Sequence, residues 1–409
     1  MQLSEARVGV LYPWSGFPSM DRGSARRLGP LISLLSSHCR SVEVLSPGNG
    51  PEFDQDGITF RYHRERPAEK VLVDTAFRLF DGITHYLWKG NVPVRERRQW
   101  WHYIQPRLLP SLKAAISELC GRSDLILMEY PFWVSVLPSE PPAPPFVLTL
   151  HDILSEGISL SWLRKRVLHE ELESCRRAAE IVCCNDADAR FLRAHGFAPE
   201  IVPHGITLPS GSETSVAIPQ NNLLKIIDSR HAEGALVCFF VGSSHQPNRE
   251  ALDALSVIAA ELRHDRRFLF VAAGSCCAPC VRARNEIHLG PVTEAGLEQI
   301  YALCDIAMVP LINGTGASLK TIEALARKKV LLTTTVGARG YPLVSGREAI
   351  ILNNPKEFPA ALRHLAENPD ERAILAVSGW EFIQAYDCNS VYQAYLPLLS
   401  RLVSSVQKK

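Results

Sequence analysis

The chain has 409 residues, longer than single hydrophobic cores usually grow, so two domains are the first expectation. Hydrophobic residues make up 46% and charged residues 21%, which excludes a disordered or fibrous chain. A formal net charge of +1 gives no overall pull towards nucleic acid or anionic membrane, so either partner would have to be met by a local patch.

Met1 to Arg7 is polar and charged rather than a secretory signal, and no apolar stretch reaches the roughly 18 residues that span a bilayer. A cytoplasmic location is expected. Val8 to Tyr12 is a short apolar run that ends in the turn-rich Pro13, Trp14, Ser15 and Gly16. A helical pattern of Ala25, Leu28, Leu31, Ile32 and Leu35 follows, which makes strand, loop, helix. Val42 to Leu45 resumes as strand.

Residues 88–107 crowd Trp88, Lys89, Arg95, Arg97, Arg98, Trp100, Trp101, Tyr103 and Arg107 into one segment. Interleaved aromatic and basic side chains suit peripheral membrane contact at the inner face, a lipid-diphosphate acceptor or an anionic glycan. They equally suit a helix that packs its tryptophans inward and leaves its arginines in water.

Leu125 to Met128, Phe146 to Leu150 and Ile181 to Cys184 are further strands, and the proline cluster Pro138 to Pro145 is a loop between two of them. Strands separated by helices predict a parallel sheet covered on both faces. Leu208 to Asn222 is polar, with weak periodicity, and reads as a linker, so a boundary falls near residue 208.

The second half repeats the grammar. Leu236 to Val241 and Phe268 to Ala272 are strands around a helix from about Asn248 to Leu262, and helix 294–303 leads into strand Ile306 to Val309. A glycine-rich loop, a helix from about Ser318 to Arg327 and strand Val330 to Thr334 complete the series. The 11 cysteines, several inside apolar runs, read as reduced core thiols. Cys276, Cys277 and Cys280 have a spacing that could chelate a metal, but no second Cys or His pair follows, so a surface loop is expected there.

In open parallel sheets ligands bind outside the carboxyl ends of the strands, and anions favour helix N-termini. Beyond Pro310, the residues Asn313, Gly314, Thr315 and Gly316 open a helix whose first turns hold Lys320 and Glu323. The glycines let backbone amides approach a phosphate, the lysine supplies charge, and the carboxylate can accept hydrogen bonds from ribose hydroxyls. An ordinary strand-to-helix turn with a solvated lysine has the same spacing.

The run GTGASLKTIEALARKKVLLTTTVGARG resembles the glycine-rich loop, Lys and Glu-Ala signature of retaining, GT-B-fold glycosyltransferases of the group 1, family 4 type. The resemblance extends to FVGSSHQPNREAL, HLGPV, EIVCCNDADARFL with IVPHGI, and the His-Asp pair at 151 and 152. Matches run in the expected order over most of residues 146–340. The implied architecture is α/β, with two Rossmann-like domains whose parallel sheets face each other across a cleft. Residues 1–207 would be the acceptor side and 208–385 the nucleotide-sugar donor side, with a C-terminal helix, 386–409, placed to pack back on the first domain.

The resemblance also implies roles. Glu323 would hold the donor ribose, amides around Leu319 and Lys320 would face the diphosphate, and His288 and Leu289 would border the nucleobase. His151 would lie beside the transferred sugar as the catalytic candidate, with Gly23 on the opposite wall. Two positions depart from the family pattern: Thr315 stands where a sugar-binding Glu is common, and Ser243 stands where an Arg is common. Arg249 and Lys320 would then carry the phosphate charge.

No Asp-x-Asp motif stands at the end of an apolar strand where it could hold a divalent ion, so no metal or other cofactor is expected. The expected activity is transfer of a hexose from a nucleoside-diphosphate sugar to a glycan, lipid-linked or small-molecule acceptor, with retention implied by the resemblance. A nucleotide-sugar 2-epimerase would need an acid and base pair that the motifs do not supply. A non-catalytic nucleotide-sugar-binding protein is the rival that Thr315 and Ser243 motivate, and nucleic-acid binding has no support.

Overall fold

The computed structural model describes residues 1–18, 23–87, 94–138, 143–209 and 222–406. The chain divides into two compact units, one made of Met1–Gly205 with Cys388–Lys409 and the other of Ile206–Asp387.

The first unit holds β1 (Arg7–Leu11), β2 (Ser41–Pro47), β3 (Phe53–Gln55), β4 (Ile58–His63), β5 (Leu125–Glu129), β6 (Phe146–Leu150), β7 (Glu180–Cys183) and β8 (Glu200–Ile201). Their order is β3-β4-β2-β1-β5-β6-β7-β8. Every pairing is parallel except β3 on β4. Strand order reverses between β1 and β5, so the crevice beyond their carboxyl ends is where such a sheet takes ligands.

The second unit holds β9 (Leu236–Val241), β10 (Phe268–Ala273), β11 (Cys280–Ala283), β12 (Glu286–His288), β13 (Ile306–Val309), β14 (Val330–Thr334) and β15 (Ile350–Leu352). They run β11-β12-β10-β9-β13-β14-β15, parallel except for β11 on β12. The reversal here lies between β9 and β13.

These sheets form around central strands that are mostly apolar. Every residue of β5, β6, β10, β13 and β14 is buried, which requires helices on both faces. Eight of the eleven thiols are buried and none is in a disulfide; burial pushes Cys183, Cys184 and Cys304 up to about 12. Such thiols are inert core residues.

The basic and aromatic segment largely folds inward. Helix Val94–Ile104 buries Trp101, and Tyr103 is 2% exposed. Trp100 packs edge-on against Phe80 and Trp162, with ring centroids 5.3 and 5.7 Å apart. The expectation that the arginines stay in water fails at Arg97, which is 3% exposed and pairs with Asp81 at 2.8 Å. Arg107 pairs with Glu170 at 2.6 Å and Arg98 is exposed. Trp88 and Lys89 lie outside the described residues. Among the described residues no helix is long and apolar enough to cross a membrane.

Candidate functional site

In the second unit the carboxyl ends of the parallel strands share one rim, and the sequence-predicted donor residues other than Gly23 follow those ends. Beyond β13, Gly314 and Gly316 take φ of +144° and +69°, which L side chains rarely adopt, and the chain then enters helix Leu319–Ala326. Residues 314–320 are partly exposed. Arg339, from the turn after β14, donates from Nε to the Gly316 carbonyl at 2.9 Å and from Nη2 to the Gly314 carbonyl. A guanidinium fork gripping two carbonyls fixes the peptide planes of the loop. Sequence reasoning assigned no role to Arg339, because a residue 25 positions away in another turn leaves no trace in local spacing.

Asn313 donates from Nδ2 to Glu250 at 3.0 Å, which ties the loop to helix Gln246–Glu261. That helix begins just after Ser243, whose hydroxyl accepts a 2.9 Å hydrogen bond from Nδ2 of the buried Asn248. Arg249 stands exposed on its first turn, free to reach an anion. Lys320 lies in the first turn of its helix. Burial lowers its pKa, while Glu323 and Cys276 work to raise it.

Cys276 and Cys277 follow β10, where Gly274 has φ +97° and a Cβ would run into the Gly242 carbonyl. The Cys277 thiol is held below its ordinary value, first by a hydrogen bond from Cys276 and further by backbone amides of Gly290 and Leu289. Cys280 is exposed at the start of β11, so the segment is a turn and edge strand. His288 is 3% exposed, with Nε2 2.8 Å from Glu286, and Leu289 is 4% exposed. One ring nitrogen of His288, Nε2, is therefore committed to Glu286.

The first unit carries its own cluster at the carboxyl ends of β1, β5, β6 and β7. Gly23 is the first residue of helix Gly23–His38, which brings Arg27 over the sheet. Arg27 is 1% exposed, 3.5 Å from Glu129 and 2.8 Å from the Tyr395 hydroxyl, to which it donates. Glu129 ends β5 and His151 follows β6; His151 Nε2 lies 2.6 Å from Glu129 Oε2. Tyr130, at φ +68°, stacks on the His151 ring with centroids 4.2 Å apart, and His204 stacks at 5.6 Å. Sequence reasoning found His151 but neither Arg27 nor Glu129.

His151, Cys184 and His204 place their ligand atoms within 4.8 Å of one another, all buried. Arg27 Nη1, however, is 3.4 Å from both ring nitrogens of His151. A permanent cation therefore occupies the ground a divalent ion would need.

Burial would raise the Glu129 carboxyl, but the His151 hydrogen bond and the Arg27 charge carry it below the usual range. Burial lowers His63, His151 and His204, and takes His102 down to about 4. Imidazoles that refuse a proton when folded lose stability as pH falls below about 6.5, because the unfolded chain binds that proton. Glu129 acts in the same direction below its unfolded value of 4.5. Glu171 opposes them: burial raises it to about 8, so its stabilisation is complete below 4.5 and is lost as pH rises through 8.

Stability of the first unit is therefore expected to peak near pH 6.5, with the steeper fall on the acid side. Six of the seven tryptophans lie in residues 1–205, so fluorescence-detected melting from pH 5 to 8.5 checks this. Glu171→Gln should flatten the alkaline side and steepen the acid side, because the Glu171 contribution declines from pH 4.5 to about 8; a melting temperature that climbs steadily to pH 8.5 would refute the assignment.

Two α/β units, with a glycine-opened helix at the rim of the second sheet, define the chain as a GT-B-fold protein of glycosyltransferase type. Residues 235–368 match the family described as "Glycosyl transferases group 1", and residues 23–208 match "Glycosyltransferase Family 4". The chain belongs to the group 1, family 4-like glycosyltransferases.

Solved structures share the fold over nearly the whole chain. HepE of Anabaena, in complex with UDP, is 15% identical with a TM-score of 0.68, covering 97% of this chain and 100% of that one. Sucrose-phosphate synthase of Thermosynechococcus elongatus is 12% identical with a TM-score of 0.72, covering 98% and 100%. The α,α-trehalose 6-phosphate synthase of Burkholderia multivorans is 14% identical with a TM-score of 0.70, covering 99% of each chain. A stretch of 114 residues is 26% identical to a protein described as "Uncharacterized 44.6 kDa protein in cps region" of Klebsiella pneumoniae. That stretch spans 27% of this chain and 29% of the relative.

Proposed function

We propose that this glycosyltransferase moves a hexose from a nucleoside-diphosphate sugar to an acceptor hydroxyl, with retention and without a metal. The observation that carries the reading is the open turn at Gly314–Gly316, braced by Arg339, ahead of a helix that starts at Leu319 and Lys320. Amides at that helix start, with Lys320 and Arg249, suit a diphosphate, and Glu323 suits the attached ribose. Fixed dipoles and cations can stabilise the departing diphosphate without an ion. His288 and Leu289 are assigned to the base, and His151 and Gly23, in the first unit, to the transferred sugar.

The acceptor is read as a glycan, a lipid-linked sugar or a small molecule, in keeping with glycan biosynthesis in the cytoplasm. Membrane contact through residues 88–107 has less support, because Trp100, Trp101 and Tyr103 are taken up by packing.

Solved HepE complexes contain UDP and UDP-glucose, which makes UDP-sugars the first probes. Thermal-shift titration with UDP-, GDP-, dTDP- and ADP-sugars, all in EDTA, tests the reading. A ligand at a hundredfold excess over its Kd adds about 2.7 kcal/mol to stability. A shift with one donor and slow release of its nucleotide diphosphate support a metal-free transferase. A shift without release favours the non-catalytic binder, and no shift with any donor removes the reading.

A further inference from the structure

Glu129 is paired in register with Thr149 on the neighbouring strand, so Glu129, Thr149 and His151 project from the same face of the sheet. Arg27 reaches down onto that face, and Tyr395 of the returning C-terminal segment closes it, its hydroxyl 2.8 Å from Arg27 and 3.2 Å from Thr149. All five side chains are buried. An apolar cluster of the same volume would be at least as stable as such a buried ion pair, so stability does not explain the arrangement. What it supplies is a defined proton on one imidazole nitrogen.

We propose that Glu129 is a positioning residue for His151: its carboxylate, held by Arg27 and through Arg27 by Tyr395, locks the imidazole as the Nε2–H tautomer. With Glu129 ionised, the 2.6 Å contact has His151 Nε2–H as donor. Nδ1 is then the lone-pair nitrogen; Arg27 Nη1 lies 3.4 Å from it, so a sugar hydroxyl donating to Nδ1 would share that acceptor with the guanidinium. A flipped proton would turn that acceptor into a donor. Tyr130 stacked on the ring restrains its rotation, so the carboxylate has only the tautomer left to choose. The functional half of this inference rests on His151 bordering the transferred sugar; the tautomer lock itself does not.

The test is a two-bond proton–nitrogen spectrum of full-length protein carrying 15N-labelled histidine, with His151→Asn identifying the His151 signals. The unmodified protein should show a neutral Nε2–H imidazole. The double variant Arg27→Met, Glu129→Leu removes both charges together, so neither is stranded. It should show both tautomers and a kcat for donor hydrolysis lowered about a hundredfold, with donor KM within about threefold. Glu129→Asp should keep the single tautomer. Should the double variant not fold, Tyr395→Phe, which takes away one hydroxyl, should show the same mixing to a smaller degree.

A His151 that is charged or Nδ1-protonated in the unmodified protein would overturn the proposal, as would a tautomer unchanged in the variant. A mixed tautomer with unchanged kcat would overturn it too. The spectrum needs no substrate, so a wrong donor assignment would appear separately, as unmodified protein that neither binds nor hydrolyses any nucleotide sugar.

Discussion

Replacing Lys320 by methionine is expected to weaken nucleoside-diphosphate binding about a hundredfold while leaving the free protein as stable as before. The ammonium sits in the first turn of helix Leu319–Ala326, and burial already lowers its pKa. A lysine partly stripped of water has lost hydration that a phosphate oxygen can replace. A charge-assisted hydrogen bond of that kind contributes about 1.5–3 kcal/mol, which is about ten- to more than a hundredfold in Kd. Methionine keeps the length and apolar stem of the side chain, so packing against the helix survives. The free protein loses only the attraction of Lys320 for Glu323 and Cys276, and sheds the cost of a half-buried charge. Glu323→Gln should cost less, about tenfold, since an amide can still accept one ribose hydroxyl. Calorimetric titration with UDP, run beside a thermal melt of each free variant, reads both quantities. A Kd within threefold of the unmodified protein for Lys320→Met would move the diphosphate elsewhere.

The strands were legible because they are buried on both faces. Phe146–Leu150, Leu236–Val241, Ile306–Val309 and Val330–Thr334 are continuous apolar runs, and the structure gives them the expected bounds. Edge elements carry no such signal. β11 is exposed along its whole length, and β12 is the three-residue Glu286–His288, with two polar side chains buried against each other. Nothing in their spacing marks a strand. The same contrast holds at the candidate sites. Gly314, Gly316, Lys320 and Glu323 were readable because one loop and one helix place them, and local spacing encodes that. Arg339 acts across the rim on backbone carbonyls of the Gly314–Gly316 turn, more than twenty positions away in the chain. Arg27 stands beside Arg26 in a helix and reads as a solvated charge, and Glu129 reads as the polar end of a strand. Their partnership joins positions 102 residues apart in the chain. It is a property of the tertiary structure alone.

Arg27→Met is expected to produce the largest loss of stability of any single substitution considered. Arg27 and Glu129 are each 1% exposed, and the carboxylate has Arg27 as its cationic partner with His151 neutral beside it. Removing the guanidinium leaves an anion in a site closed to water, and breaking such a pair from one side costs about 3–5 kcal/mol. In a unit of a little over 200 residues each kcal/mol lowers the melting temperature by about 2–4 °C, so a drop of about 10 °C is expected. The carboxyl can soften the loss by taking up a proton. The penalty should therefore shrink as pH is lowered from 8 to 5, opposite to the acid sensitivity of the unmodified unit. Adding Glu129→Leu removes the stranded charge and should recover most of the stability, a coupling of several kcal/mol between two residues in contact. Tryptophan-fluorescence melts of the two single variants and the double, at pH 8 and pH 5, measure that coupling directly. If Arg27→Met melts within 2 °C of the unmodified protein at pH 8, the guanidinium is not neutralising Glu129, and the support for an ionised carboxylate beside His151 goes with it.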